Sequence, residues 1–314
     1  MAKLMLNNGF SVSTLNSKIN VFTNSVRIRN YFQKDPFVEE SIAGYRFNNK
    51  PRTDADYSLS YMDGKGKLTF LNKEIFISAP VEDLHFPDLV YLSLILLEKQ
   101  HGLDRKFTIH GAAFSKENGG AGLLLGDPGN GKTTILLNLY LQGYNFLSND
   151  KTVVGSASSG PAIFAGTNYL SLRPSVYNNL NQDALDVIEP LIIGKTEKGK
   201  VILDLKWNAD QAHLPKISNL FFISLLDDSK TVIFNRLSKD MATLLLAKET
   251  SVYLRGASNV VVTFNRQFPS FDNKEISIKR MELVDSIVSK LGVFVLRANI
   301  SNTLRILGEI FENK

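Results

Sequence analysis

The sequence predicts an α/β protein in which a P-loop-containing mixed sheet is flanked by helices and follows a small N-terminal α+β region. A glycine-rich stretch, GDPGNGKT at 126–133, stands between an apolar strand pattern and an apolar helix pattern. The first hundred residues instead show short alternating segments and one helical pattern. We therefore predict two domains, 1–104 and 105–314.

The N-terminal region contains two informative patterns. YSLSYMDGKGKLTFLNKEIFIS, at 57–78, indicates two strands joined by a turn at 63–66, where glycine supplies positive φ. FPDLVYLSLILLEKQHG, at 86–102, indicates a helix, because its apolar residues follow the helical period and Gly102 stops the pattern.

The second region alternates strand and helix patterns, as a nucleotide-binding unit does. FTIHGAAF (107–114) and AGLLLG (121–126) predict strands, KTTILLNLYLQG (132–143) a helix, and YNFLSND (144–150) a further strand. Later strands are predicted at 200–207, 219–226, 231–237 and 293–300, and later helices at 239–248, 281–291 and 301–311.

Composition indicates an ordinary soluble globular chain, whose positive charge is compatible with an anionic ligand and equally with a lysine-rich solvated surface. Of 314 residues, 44% are hydrophobic and 21% are charged, and no apolar run is long enough to span a membrane. Cysteine is absent, and the start lacks a signal-peptide pattern, so we expect a cytoplasmic protein. The net charge of +5 fits a nucleotide, but the basic residues are scattered, and nucleic acid is therefore not expected as a partner.

The stretch GDPGNGKT matches the phosphate-binding pattern G-x-x-x-x-G-K-[ST] without a mismatch. Its glycines allow backbone N–H groups to point at phosphate oxygens, and the helix that follows adds the positive end of its dipole. Lys132 supplies a charge to the outer phosphates, and the Thr133 hydroxyl can bind Mg²⁺. The predicted nucleotide-binding residues are Gly126, Asp127, Pro128, Gly129, Asn130, Gly131, Lys132, Thr133, Thr134 and Arg173.

A nucleotide site of this kind also needs an acidic residue at the end of a neighbouring strand, to hold the metal. Asp150 ends the strand pattern that follows the predicted cradle helix, and Asp204 follows the apolar VIL of a later strand. We favour Asp150, because Leu205 and Trp207 continue the pattern past Asp204 and indicate a mid-strand position.

Together these residues resemble a known family. IHGAAF, LLLGDPGNGKTT and GYNFLSND, within about 105–155, resemble the core of HPr kinase/phosphorylase-like proteins, which have a P-loop of the phosphoenolpyruvate-carboxykinase type. The resemblance implies an HPr kinase C-terminal-like fold and an ATP- and Mg-dependent kinase. His110 would lie beside the metal and the transferred phosphate, and Asp150 would bind the metal. It leaves open whether the chain forms a homo-oligomer.

Asn149 departs from the family pattern, which has an acid that takes the proton from the acceptor. An amide cannot act as a general base. Three interpretations follow: the acceptor needs little base assistance and His110 takes the role, Asn149 binds metal or substrate while Asp150 handles the proton, or the site binds nucleotide without transferring phosphate. The candidate catalytic residues are His110, Lys132, Asn149 and Asp150.

The leading functional prediction is a kinase that transfers the γ-phosphate of ATP to a hydroxyl of a peptide or small-molecule acceptor. The alternative is a non-catalytic or slowly hydrolysing ATP-binding partner in a biosynthetic assembly, which Asn149 favours. Arg173, in the segment SLRPS, is equally compatible with an anion-binding role and with a place at the exposed end of a strand.

Overall fold

The structure is a computed structural model that describes residues 9–116, 120–196, 199–205, 214–228, 230–255 and 260–312. Within these residues the chain divides into two compact units. The first contains Met1–Thr108 and Lys248–Met281, and the second contains Ile109–Ala247 and Glu282–Lys314. None of the helices in the described ranges combines the length and the apolar character needed to cross a membrane.

The described residues form strands and helices that we number in chain order. The strands are β1 Gly9–Thr14, β2 Ser17–Phe22, β3 Arg46–Asn48, β4 Tyr57–Met62, β5 Lys67–Phe70, β6 Glu74–Ser78, β7 Lys106–Ser115, β8 Ala121–Leu125, β9 Asn145–Ser148, β10 Lys151–Ala157, β11 Gly160–Gly166, β12 Tyr169–Leu172, β13 Ile192–Lys195, β14 Val201–Asp204, β15 Ile217–Leu225, β16 Ile233–Arg236, β17 Val260–Val261, β18 Arg266–Gln267 and β19 Gly292–Ala298. The helices are α1 Val26–Lys34, α2 Pro36–Ser41, α3 Phe86–Leu103, α4 Lys132–Leu141, α5 Pro174–Tyr177, α6 Gln182–Ile188, α7 Lys239–Glu249, α8 Val252–Arg255, α9 Lys274–Lys290 and α10 Ile300–Glu312.

The first unit is built on a sheet in the order β3-β1-β2-β4-β6-β5. Helix α3 packs against β2 and β4, and its apolar residues are buried along nearly the whole helix. The predicted helix at 86–102 is therefore confirmed. The predicted hairpin at 57–78 is wrong, because β4 pairs with β6 in parallel and β5 pairs with β6.

Two features explain the actual pairing in this segment. The turn 71–73 joins β5 to β6, with the Leu71 N–H donating to the Glu74 carbonyl at 2.8 Å. The parallel pairing of β4 with β6 places Leu59 beside Ile75 and Tyr61 beside Ile77, all of them buried. Because β6 lies between β4 and β5, the turn at 63–66 must carry the chain past the end of β6. The turn lies close to that strand, where a Cβ on Gly64 would be 2.8 Å from Ser78 Oγ.

The segment 248–281 returns to the first unit, which the boundary drawn from the sequence does not anticipate. Its buried residues Tyr253, Val261 and Phe268 join the same apolar core as Leu89 and Leu92 of α3. Helix α9 begins at Lys274, seven residues before the predicted start, and the Asn273 carboxamide accepts from the Ile276 N–H at 2.9 Å. The first turns of α9 were missed because they carry few apolar residues.

The second unit is built on a mixed sheet in the order β11-β10-β7-β8-β15-β19-β16, with β9 also paired to β7. Strands β8, β15 and β19 are parallel, whereas β7 is antiparallel to β8 and β9, β10 to β11, and β16 to β19. Helices α4 and α10 contact each other, and α10 contacts β19. The predicted mixed sheet with flanking helices is confirmed.

Strands β12, β14 and β13 form a separate three-stranded sheet in the second unit, and β12 contacts helix α4. The predicted strand at 200–207 is β14, which ends at Asp204, and its continuation from 206 lies outside the described residues. The predicted strand at 144–150 is shorter, because β9 ends at Ser148 and leaves Asn149 and Asp150 in the turn before β10. Both side chains are thereby placed at the end of a strand.

Candidate functional site

The cradle, residues 126–133, connects the end of β8 to the start of α4. Gly129 and Gly131 have φ of +95° and +91°, which only glycine adopts without strain. The Asn130 carbonyl accepts from the Leu225 N–H at 3.1 Å, so the loop is fastened to the end of the parallel strand β15. Ligands of open α/β sheets bind at this edge, beyond the carboxyl ends of parallel strands.

Lys132 is the first residue of α4 and is 7% exposed. Its Nζ donates to the carbonyls of Gly126 at 2.6 Å and Asp127 at 3.2 Å. The ammonium group is therefore held inside the curve of the loop, where a phosphate group would be its natural partner.

Thr133 and Asn149 are joined across the site. The Thr133 hydroxyl donates to Asn149 Oδ1 at 3.2 Å, and Asn149 Nδ2 donates to the Tyr169 carbonyl at 3.1 Å. Asn149 is 7% exposed, and its N–H donates to the Thr167 carbonyl. The Asn149 carboxamide thus accepts one hydrogen bond and donates another. An ionised carboxylate at this position could accept but could not donate.

His110 and Asp150 form the ionisable pair of the site. His110 Nε2 lies 3.0 Å from Asp150 Oδ1, and both side chains are partly exposed. The Gly111 N–H donates to the Asp150 carbonyl at 3.0 Å, which fixes the turn against β7. Asp150 has φ of +66°, a left-handed conformation that is uncommon outside glycine.

The strand register brings this pair to the cradle. Gly111 of β7 pairs with Leu125, the last residue of β8, so His110 lies one residue beyond the paired stretch, where the cradle begins. Because β10 lies on the other side of β7, the turn with Asp150 reaches His110 from that side. The two segments of the predicted site are therefore neighbours in the sheet.

Lys151 is a site residue that the sequence reasoning missed. Its Nζ lies 3.5 Å from Asp150 Oδ2, and its side chain is 9% exposed. Burial alone would raise the pKa of Asp150, but the hydrogen bond with His110 and the charges of Lys151, His110 and Lys132 outweigh burial and hold this pKa well below its ordinary range. The signal in the sequence was a basic residue directly after the acid.

The remaining candidate residues from the sequence are Arg173, Thr134, Pro128 and Asp204. Arg173 follows β12 and is exposed, and its side chain has no hydrogen bond or ion pair with the rest of the described chain. Thr134 lies in the first turn of α4, where its carbonyl accepts from Asn138, and Pro128 is exposed on the loop. Asp204 pairs with Tyr169 in the three-stranded sheet, and the Tyr169 carbonyl is the one that accepts from Asn149.

The oxygen atoms of Thr133 and Asn149 fit a magnesium ion. Both are oxygen donors of the kind that Mg²⁺ prefers, and their hydrogen bond shows that they lie side by side. Nowhere in the described ranges do three or more His, Asp or Glu side chains cluster as a ready-made metal site. A metal here would therefore take most of its ligands from water and substrate.

No family model matches the chain, and no curated protein matches it. Among solved structures, the chain is similar to the HPr(Ser) kinase/phosphatase from Coxiella burnetii, with 13% sequence identity and a TM-score of 0.23. The match covers 66% of this chain and 96% of the other. This weak structural similarity assigns no function.

Proposed function

We propose that this protein is an ATP-dependent kinase that transfers the γ-phosphate to a hydroxyl group of a peptide or small-molecule acceptor. The observation that carries the proposal is the His110–Asp150 pair, 3.0 Å apart, one residue beyond the pairing of Gly111 with Leu125, the last residue of β8 before the cradle. A protein that binds nucleotide without transferring phosphate does not need an ionisable pair beside the cradle. Lys132 also acts electrostatically on Asp150, which supports a single shared site.

The cradle would hold the nucleotide phosphates. Backbone N–H groups at the start of α4 and the helix dipole favour negative charge there, and Lys132 would exchange its two carbonyl acceptors for phosphate oxygens. Bound Mg²⁺ would neutralise charge on the phosphates during transfer. We assign the Thr133 hydroxyl and the Asn149 side-chain oxygen as the protein ligands of this Mg²⁺.

Asp150 is less suited to direct metal binding than the sequence pattern implied. Both of its carboxylate oxygens already have partners, Oδ1 the His110 ring and Oδ2 the Lys151 ammonium group. We therefore give Asp150 the role of orienting His110, with any contact to the metal secondary. With Asp150 engaged by His110 and Lys151, we favour a combination of two of the earlier interpretations. The Asn149 oxygen would bind the metal, and His110 would act as the base.

His110 would accept the proton of the acceptor hydroxyl. In the neutral ring, the hydrogen bond to Asp150 places the proton on Nε2 and leaves Nδ1 free to take another. The transition state of phosphoryl transfer is loose, so positioning and charge neutralisation dominate and the proton moves late. Loss of the ring should slow transfer by about 10²- to 10⁴-fold while leaving nucleotide binding intact.

A second function is favoured by one observation, the amide at position 149 in place of an acid. In that case the protein is an ATP-binding switch that does not transfer phosphate. Asn149 would then have a structural role, holding Thr133 and β12 together through its two hydrogen bonds.

Phosphate transfer from Mg-ATP to a cell extract and a peptide pool, followed by mass spectrometry, separates the two functions. We expect a product heavier by one phosphate with the wild type and none with Lys132→Ala. Lys239→Ala, which removes an exposed lysine on α7, is the matched control and should behave as wild type. ATP binding without any phosphorylated product would support the switch and contradict the kinase.

A further inference from the structure

Strand β16 forms one edge of the main sheet of the second unit, and no strand in the described ranges pairs with its outer side. It pairs only with β19 among the described strands, with Ile233 opposite Arg297 and Asn235 opposite Val295. All four of its residues are exposed. An open edge of this kind is a template for pairing with another strand.

The register shows which backbone groups face outward. The Leu237 N–H donates to the Val293 carbonyl at 2.8 Å, so residue 237 and, by alternation, 235 and 233 bond towards β19. The N–H and C=O groups of Phe234 and Arg236 therefore point away from the sheet. They have no backbone partner within the part of the chain that the structure describes.

The side chains on this edge are unusually apolar for solvent. Val232, Ile233 and Phe234 are 42%, 38% and 36% exposed. Phe234 stacks on Phe294 with ring centroids 5.1 Å apart, so it is held in place rather than free to fold back. Sheets usually protect an open edge with proline, charge or a covering segment.

The opposite edge of the same sheet is protected by proline and by a covering segment, whereas β16, within the described part of the chain, has only the charge of Arg236. Strand β11 carries Pro161 and begins and ends with glycine, and its Ile163 N–H donates to the Pro215 carbonyl at 3.0 Å. Ala162 also forms a bridge with Lys216. The contrast between the two edges indicates that the exposure of β16 serves contact.

We propose that β16 pairs with β16 of a second copy of this chain, antiparallel and centred on Asn235, so that the two sheets become continuous. In that register Phe234 lies opposite Arg236 of the partner copy on both sides of the dyad, and their outward groups exchange four hydrogen bonds. Each Phe234 ring also meets the Arg236 guanidinium of the other copy, a cation–π contact that keeps the two arginines apart. The strand is thus complementary to itself in hydrogen bonding and in charge.

The contact is small, which sets the strength of the expected dimer. A four-residue edge covers much less than the about 800 Å² per partner of a standard interface. We therefore expect a dimer that dissociates on dilution. The proposal is independent of the kinase function, since none of the catalytic residues lies on β16.

Sedimentation velocity from about 1 to 500 µM tests for the dimer. We expect the weight-average mass to rise from monomer towards dimer across the series. Arg236→Pro removes an outward N–H without touching the bonds to β19, and should weaken association about tenfold through the two lost hydrogen bonds. Its circular dichroism and melting temperature should stay at wild-type values, and Val262→Glu, at an exposed apolar site elsewhere, should not affect association. A monomer at every concentration would overturn the proposal.

Single cysteines test the register, because the natural chain has none. In the proposed dimer the two copies of residue 235 face each other as a non-hydrogen-bonded pair about 4.5 Å apart, within reach of a disulfide. Asn235→Cys should therefore cross-link rapidly on mild oxidation. Ile233→Cys is the matched control, because its two copies would lie about 13 Å apart. Equal cross-linking of the two variants, or faster cross-linking at 233, would overturn the pairing.

Discussion

Gly131→Ala should destabilise the cradle more than Gly129→Ala, the same change two residues earlier in the loop. Gly131 caps α4 with φ of +91°, and a left-handed conformation costs a residue with a side chain about 1–2 kcal/mol. The added Cβ would also lie 2.3 Å from Leu225 Cδ1 and 2.5 Å from Leu225 Cγ. Overpacking of this kind costs about 1–3 kcal/mol, so the loss of unfolding free energy should be about 2–5 kcal/mol.

Gly129→Ala provides the matched control. Its φ is +95°, but a Cβ there would meet nothing within 4 Å, so only the backbone cost of about 1–2 kcal/mol applies. The measurement is urea unfolding followed by circular dichroism for both variants, together with Leu225→Ala and the double variant. Truncating Leu225 removes the clash, and the double variant should be more stable than the sum of the single effects.

The two glycines should also differ in nucleotide binding. In the site we propose, a phosphate would occupy the open space beside Gly129, so Gly129→Ala should weaken ATP binding in a protein that stays folded. If Gly131→Ala were no less stable than Gly129→Ala, the contact of the cradle with Leu225 would not hold the loop as we describe.

Three further predictions concern other residues. Asn149→Asp should lower the melting temperature and slow phosphate transfer. The carboxylate would face the Tyr169 carbonyl without a hydrogen to donate, which should cost about 1–3 kcal/mol of stability. A variant that transfers phosphate faster than wild type would refute this prediction. Gly122→Ala should cost about 1–3 kcal/mol in urea unfolding, because its Cβ would lie 2.4 Å from the Phe114 ring; wild-type stability would contradict that packing. Tyr61→Phe should cost about 1 kcal/mol by losing its hydrogen bond to the Ala79 carbonyl. Burial, and then nearby acids, raise the pKa of Tyr61 from 10.0 to about 12. The unfolded chain therefore loses the phenol proton at lower pH than the folded protein, and the free energy of unfolding of the wild type should fall between pH 10 and pH 12. This fall should be less steep in Tyr61→Phe, which has no phenol proton to lose.

The local patterns of the second unit were sufficient to predict its central elements. A short apolar run followed by a glycine-rich loop and an apolar helix has few alternatives, and β8, the cradle and α4 follow it closely. The position of Asn149 and Asp150 after a strand was also readable, because their spacing from the cradle is local. Their hydrogen bonds to Thr133 and His110 depend on the order of strands in the sheet, which the sequence does not state.

The errors arose where pairing is not between neighbours in sequence. The segment 57–78 has the alternation of a hairpin, but β4 finds its partner in β6 because that register buries Tyr61 beside Ile77. The return of 248–281 to the first unit leaves no local signal, since it depends on a few apolar residues such as Tyr253 filling a distant core. Lys151 was missed for a similar reason, because only the turn geometry places its ammonium group on Asp150.

The most direct test of the central claim measures the dissociation constant of ATP and the rate of phosphate transfer in the same preparations of wild type, Lys132→Ala and His110→Ala. We predict that Lys132→Ala loses both binding and transfer, whereas His110→Ala binds ATP within about twofold of wild type and transfers phosphate about 10²- to 10⁴-fold more slowly. Transfer by His110→Ala at the wild-type rate would contradict the role we give to the His110–Asp150 pair and, with it, our account of the site.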